Sequence, residues 1–174
     1  QPGKRHIITT AVEHSANIKF GEIHEKRGGE VTWIPVARAG QLDVHEIAEA
    51  IREDTAIVSV MLANNETGVI FPLEEIAALC RAKGVLCHTD AVQTPGKLPL
   101  DVKAMGIDFL SLSAHKLHAP KGIGLLYARR GVPWQPYLIG GGQEHGRRGG
   151  TENVAQIVAF GQAAELAIAS LAND

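Results

Sequence analysis

Apolar and polar positions along the chain fall into short blocks whose periods alternate. Residues 6–10 (HIITT) form a β-rich run, and residues 15–27 carry a partly helical apolar spacing that stops at Gly28-Gly29. Residues 30–36 (EVTWIPV) alternate as a half-buried strand does. Val44, Ile47, Ala48 and Ile51 then share one face of a helix for which Asp43 supplies an N-cap. Residues 55–62 (TAIVSVML) are almost continuously apolar, the pattern of a strand covered on both faces. Pro72 opens the next helix in a position that tolerates it, and Gly84 closes it. Residues 85–88 read as another buried strand ending in Thr89-Asp90, with 108–113 and 122–128 as two more. A glycine-rich loop, 140–150, precedes an Ala-rich helix over 153–171.

Strands alternating with helices predict an α/β fold, a mainly parallel sheet flanked by helices. No internal repeat or low-complexity linker interrupts the 174 residues, a length that suits one domain. Ligands of such sheets bind outside the carboxyl ends of the strands, so residues with chemistry should follow the apolar runs. Five polar clusters do. They are Glu13-His14, Asn64-Asn65-Glu66, His88-Thr89-Asp90 with Gln93, Ser113-Ala114-His115-Lys116, and the glycine loop running on to Thr151.

Composition narrows the class of partner. Apolar residues at 45% and charged residues at 21% describe a globular chain rather than a disordered one. Seventeen Lys and Arg against nineteen Asp and Glu leave −2, so no global charge draws the chain to nucleic acid or an anionic membrane. No uninterrupted apolar run approaches the ~20 residues of a spanning helix, so no membrane partner is expected. Cys80 and Cys87 are too few for a disulfide framework and favour a reducing cytoplasm. Glycine is in excess, 19 residues, concentrated where backbone must turn tightly or approach a ligand.

Each cluster has an ordinary reading. Asn-Asn-Glu-Thr-Gly (64–68) could be a turn with a left-handed glycine, Asp90 an N-cap, Lys116 a surface amine, and any one histidine a structural hydrogen-bonder. His88 with Asp90, and His115 with His118, have metal-like spacings, but no three or four ligands gather. Neither a Gly-x-x-x-x-Gly-Lys-Ser/Thr loop nor a Gly-x-Ser-x-Gly elbow is present, which removes two phosphate and acyl-transfer chemistries. Lys116 after one strand and Asp90 after the neighbouring one suggest a pyridoxal phosphate site. That cofactor needs a lysine for its Schiff base and an acid for the pyridine nitrogen, and an ionised carboxylate keeps that nitrogen protonated. A plain α/β nucleotide-binding module stays open at this point.

Longer motifs carry a resemblance. His-Thr-Asp-Ala-Val-Gln (88–93), Ser-Ala-His-Lys-Leu-His-Ala-Pro-Lys-Gly (113–122), Ala-Asn-Asn-Glu-Thr-Gly (63–68) and Gly-Gly-Gly-Gln-Glu-His-Gly-Arg-Arg-Gly-Gly-Thr-Glu-Asn (140–153) resemble cysteine desulfurases of the NifS/IscS type. Those are fold-type I pyridoxal phosphate enzymes of the class V aminotransferase superfamily, and the resemblance runs along essentially the whole chain. It implies that Lys116 holds pyridoxal 5'-phosphate as a Schiff base, with Asp90 on the pyridine nitrogen. It further implies that Gln93 and Asn65 bond the phenolic oxygen, that His14 stacks on the ring and assists proton transfer, and that Ser113 and His115 contact the phosphate. Thr151 would reach the phosphate of a second subunit, implying a homodimer with shared sites, and Arg147 and Arg148 would lie beside that loop.

The implied reaction converts L-cysteine to L-alanine and leaves sulfur as a persulfide on an enzyme cysteine, for delivery to an iron–sulfur scaffold or another acceptor protein. That thiol is missing, because Cys80 belongs to a helix face and Cys87 to a strand interior, where cysteines are inert. The expectation is therefore that residues 1–174 are the central part of a large cofactor-binding domain, without the N-terminal segment and without the small C-terminal domain that carries the catalytic cysteine. Such a chain would not complete desulfuration alone. Alternatives are a non-catalytic cofactor-binding or dimerising remnant, and another class V enzyme such as a selenocysteine lyase.

Overall fold

The computed structural model describes residues 3–171. Among these, each long apolar run yields a strand of five residues: β1 (His6–Thr10), β2 (Glu30–Ile34), β3 (Thr55–Ser59), β4 (Leu86–Asp90), β5 (Phe109–Ser113) and β6 (Gly124–Ala128). The helices are α1 (Ser15–Lys26), α2 (Val44–Ala50), α3 (Leu73–Lys83), α4 (Val102–Met105) and α5 (Val154–Leu171). A two-residue hairpin, β7 (Gly142–Gln143) with β8 (Arg148–Gly149), stands in the glycine loop. The helix stops follow local chemistry. Asp43 accepts from His45 N at 2.8 Å as the N-cap of α2, while Gly84 ends α3 at φ 65°, a left-handed conformation that suits glycine.

The sheet runs β2-β1-β3-β4-β5-β6. The first five strands are parallel, whereas β6 is antiparallel to β5, pairing Phe109 with Ala128 and Ser113 with Gly124. The connection 114–123 explains the reversal, since a parallel crossover needs about a dozen residues or more. Order reverses between β1 and β3, a topological switch point, and right-handed crossovers put α1 on the face opposite α2 and α3. One main core, built around Ile8, Val58, Ile76, Cys87 and Ile107, fills the α2–α3 side.

A smaller core forms where α5 meets the segment after β5. Ala114 and Leu117 pack on Phe160, with Ala163 and Ala167 beside them. By length and composition α5 could cross a membrane, despite Gln156, Gln162 and Glu165 along it. Much of its apolar surface is uncovered here: Val158, Leu166 and Ile168 are exposed, as are Tyr137 and Ile139 before the hairpin.

Candidate active site

The polar clusters gather at the carboxyl ends of β1, β3, β4 and β5, as a parallel sheet requires. At the end of β1 the chain turns through Glu13 and His14 into α1. Glu13 is buried, and its carboxylate accepts from Thr10 Oγ1 (2.9 Å), Met61 N (2.8 Å) and Asn17 Nδ2 (3.1 Å). Burial pushes this carboxyl up from its ordinary value, against the pull of the three donors. His14 is exposed and caps α1, its Nδ1 accepting from Ala16 N at 3.2 Å. That bond assigns the neutral ring its proton on Nε2.

Asn64 ties the next cluster to the first. Its side-chain oxygen accepts from Glu66 N and Thr67 N (both 2.9 Å), closing a turn that ends at Gly68 with φ 73°. Its Nδ2 donates to Val12 O at 3.0 Å, across the switch point. The turn reading of 64–68 thus holds, and the turn presents exposed Asn65 alongside the segment that carries His14.

Asp90 ends β4 and is half-buried. Its Oδ1 accepts from Val92 N at 2.9 Å, and among the described residues Oδ2 takes no hydrogen bond. Thr94 closes the following turn through Ala91 O at 3.0 Å, leaving Gln93 half-buried on it. Next door, Ser113 ends β5 and a 3-10 turn, Ala114–Leu117, carries His115 and Lys116. With three residues per turn, Ala114 and Leu117 fall on one side and are buried against α5, which leaves His115 and Lys116 exposed. Ser113 Oγ and His115 Nδ1 lie 2.7 Å apart. Whichever of the two donates, the other retains a donor for something outside: Nε2–H in one case, the hydroxyl in the other.

Thr151 stands apart from these groups. It is exposed between β8 and α5, and among the described residues no hydrogen bond joins it to the strand ends. Arg147 and Arg148 are also exposed on the hairpin. The hairpin is closely built: a Cβ on Gly149 would sit 2.6 Å from Gly140 N and 2.7 Å from Ile139 C. Among the described residues no group of three or more His, Cys, Asp or Glu is arranged to hold a metal ion. Both cysteines are buried, and the adjoining Cys80 thiol together with burial pushes the Cys87 thiol up.

Glu13, Asn64 and His88, to which the resemblance gives no part in holding the cofactor, are each central to the geometry. His88 lies between Ser59 and Ser111, its Nδ1 2.7 Å from Ser59 Oγ and its Nε2 2.9 Å from Ser111 Oγ. A signal existed. Serines inside apolar runs (TAIVSVML and DFLSLS) must find partners when buried, and a histidine in the neighbouring run is a candidate.

The family model described as aminotransferase class-V matches residues 1–173. The chain is 57% identical over 167 residues to "Cysteine desulfurase 2" of Trichormus variabilis, which covers 96% of this chain and 42% of that protein. Thus the chain spans well under half the length of this curated relative. A solved "NifS-like protein" superposes with a TM-score of 0.95 at 42% identity, over 99% of this chain and 48% of the other. A second structure, "SspA in complex with cysteine", gives a TM-score of 0.90 at 40% identity over 93% and 47% of the two chains.

Proposed function

From the premise that the chain belongs to the class V aminotransferase family, we propose that its strand-end rim is the pyridoxal 5'-phosphate seat of a cysteine desulfurase. The observation that carries this reading is the pairing of adjacent strand ends. A half-buried Asp90, whose Oδ2 takes no hydrogen bond among the described residues, closes β4, and Lys116 stands exposed on the turn after β5.

The donor set fits that cofactor. Asp90 Oδ2 suits a protonated pyridine nitrogen, and the outward donor of the Ser113–His115 pair suits a phosphate oxygen. Asn65 and Gln93 offer amide donors to a phenolic oxygen, and His14 supplies a flat ring at the rim. When bound, the cofactor provides an electron sink for the α-carbon of an amino acid. The chain's own residues do the rest. Lys116 Nζ would be the nucleophile that holds the group and would then carry a proton. His14 keeps Nδ1 engaged with Ala16 N, so Nε2 is the atom at which it holds or gives up a proton. Asp90 Oδ2 would face the ring nitrogen and favour its protonated form. A bound cysteine in one structural relative supports L-cysteine as substrate.

Residues 1–174 are the central part of the large cofactor-binding domain, and neither buried cysteine takes up sulfur, so the accepting thiol comes from elsewhere. Exposed Val158, Leu166 and Ile168 on α5 and Ile139 before the hairpin supply apolar surface for a homodimer, in which Thr151 serves the second site. An iron–sulfur scaffold or similar acceptor receives the sulfur, and two free thiols suit a reducing cytoplasm. The buried thiols also favour a second reading, a cofactor-binding chain without turnover of its own.

The deciding experiment is peptide mass spectrometry after incubation with pyridoxal 5'-phosphate and borohydride reduction. A phosphopyridoxyl group on Lys116, lost in Asp90→Asn or strongly diminished, is the expected result. A folded chain labelled equally on its other lysines would refute the site.

A further inference from the structure

We propose that His88 is a positioning residue for Asp90, bridging Ser59 and Ser111 across three strands so that the carboxylate at the end of β4 is held in one place. This rests on the cofactor reading above.

The geometry is specific. Ser59 is the register partner of His88 on β3, and Ser111 is the register partner of Asp90 on β5. His88 and Asp90 are two residues apart on β4, so their side chains leave the same face of the sheet. Ser111 therefore sits beside Asp90 while bonded at 2.9 Å to the histidine one step below it, and Ser59 braces the other ring nitrogen at 2.7 Å.

A neutral imidazole has one donor nitrogen and one acceptor nitrogen. The two serines satisfy both, giving a directed chain from one neighbouring strand to the other. Backbone bonds already pair these strands, with Val60 N on His88 O (3.1 Å) and Ala91 N on Ser111 O (3.1 Å). An apolar trio would pack here without polar partners. What the hydrogen-bonded trio adds is angular definition, since its bonds weaken when β4 shifts relative to β5. Burial also lowers the proton affinity of His88, which keeps a cation from forming beside Asp90 and cancelling its charge.

The test compares the full chain with Ser111→Ala, Ser59→Ala and His88→Phe. Three quantities are read: the melting temperature, the dissociation constant for pyridoxal 5'-phosphate, and the pH midpoint of the Lys116–cofactor absorbance. Ser111→Ala should weaken cofactor binding about three- to tenfold, the range for one lost hydrogen bond, and displace the pH midpoint. Ser59→Ala, on the side away from Asp90, should displace the midpoint less for a similar loss of melting temperature. His88→Phe should do the most, and if it fails to fold the two serine variants still decide. Lower melting temperatures with unchanged binding and midpoint in both serine variants would overturn the inference, because a purely structural bridge predicts that pattern. A wild-type chain that forms no adduct at Lys116 refutes the functional reading before any substitution is made, and this inference with it.

Discussion

Replacing Glu13 with alanine probes the joint between β1 and β3 at the switch point. Two of its partners are fully buried, Thr10 at 0% and Met61 at 1% exposure, and both donate to Glu13 Oε1. Leaving two buried donors unpaired costs about 1–3 kcal/mol each, so Glu13→Ala should lose about 2–6 kcal/mol. That is a large part of the ~5–15 kcal/mol that holds a domain together. Glu13→Gln is the control. Its Oε1 still accepts from Thr10 and Met61 N, and Asn17 meets the new amide by turning its own, so it should lose about 1 kcal/mol. Urea unfolding at pH 7, followed by far-ultraviolet circular dichroism, measures both. Equal stabilities for the alanine and glutamine variants would refute the account, since shape and charge but not acceptor capacity would then be in play. The pH dependence adds a sign. Burial raises the folded carboxyl above its ordinary 4.5, so the stability it contributes is complete below that pH and is lost as pH rises through the folded value. The advantage of wild type over Glu13→Gln should therefore be largest near pH 4 and shrink toward pH 8, and a flat difference would contradict the raised value.

Other expectations follow from the same geometry. Leu117→Ala empties a buried site under the 3-10 turn and should cost about 2–4 kcal/mol, with a lower yield of reduced adduct on Lys116 by mass spectrometry. Gly149→Ala forces a Cβ against the backbone of Ile139 and Gly140, and should cost about 1–3 kcal/mol while opening residues 137–150 to limited proteolysis. Burial holds the imidazoles of His88 and His6 below 6.5 in the folded state, so their contribution is present above that pH and lost as pH falls. Wild type should accordingly lose stability between pH 7 and 5 in equilibrium unfolding, and His88→Phe should lose less over that interval.

Periodicity alone determined a good deal of this protein. Apolar runs of strand length, helix stops such as Gly84, and the polar residues after each run were legible because each depends on neighbours within a few positions. Thr55–Ser59 illustrates the limit: its run reads on to Leu62, and the residues beyond Ser59 do continue hydrogen bonding to β4, but outside the strand proper. The tertiary structure decided what depends on distant partners. The antiparallel setting of β6 comes from the short span 114–123, and the 3-10 turn that exposes Lys116 comes from α5 packing on Ala114 and Leu117. Glu13 meets Met61, Asn64 meets Val12, and His88 meets Ser59 and Ser111, in each case across more than twenty positions of sequence. A local pattern records which face a side chain takes. Which residue waits on the neighbouring strand is set by sheet order and register, and these exist only once the chain has folded.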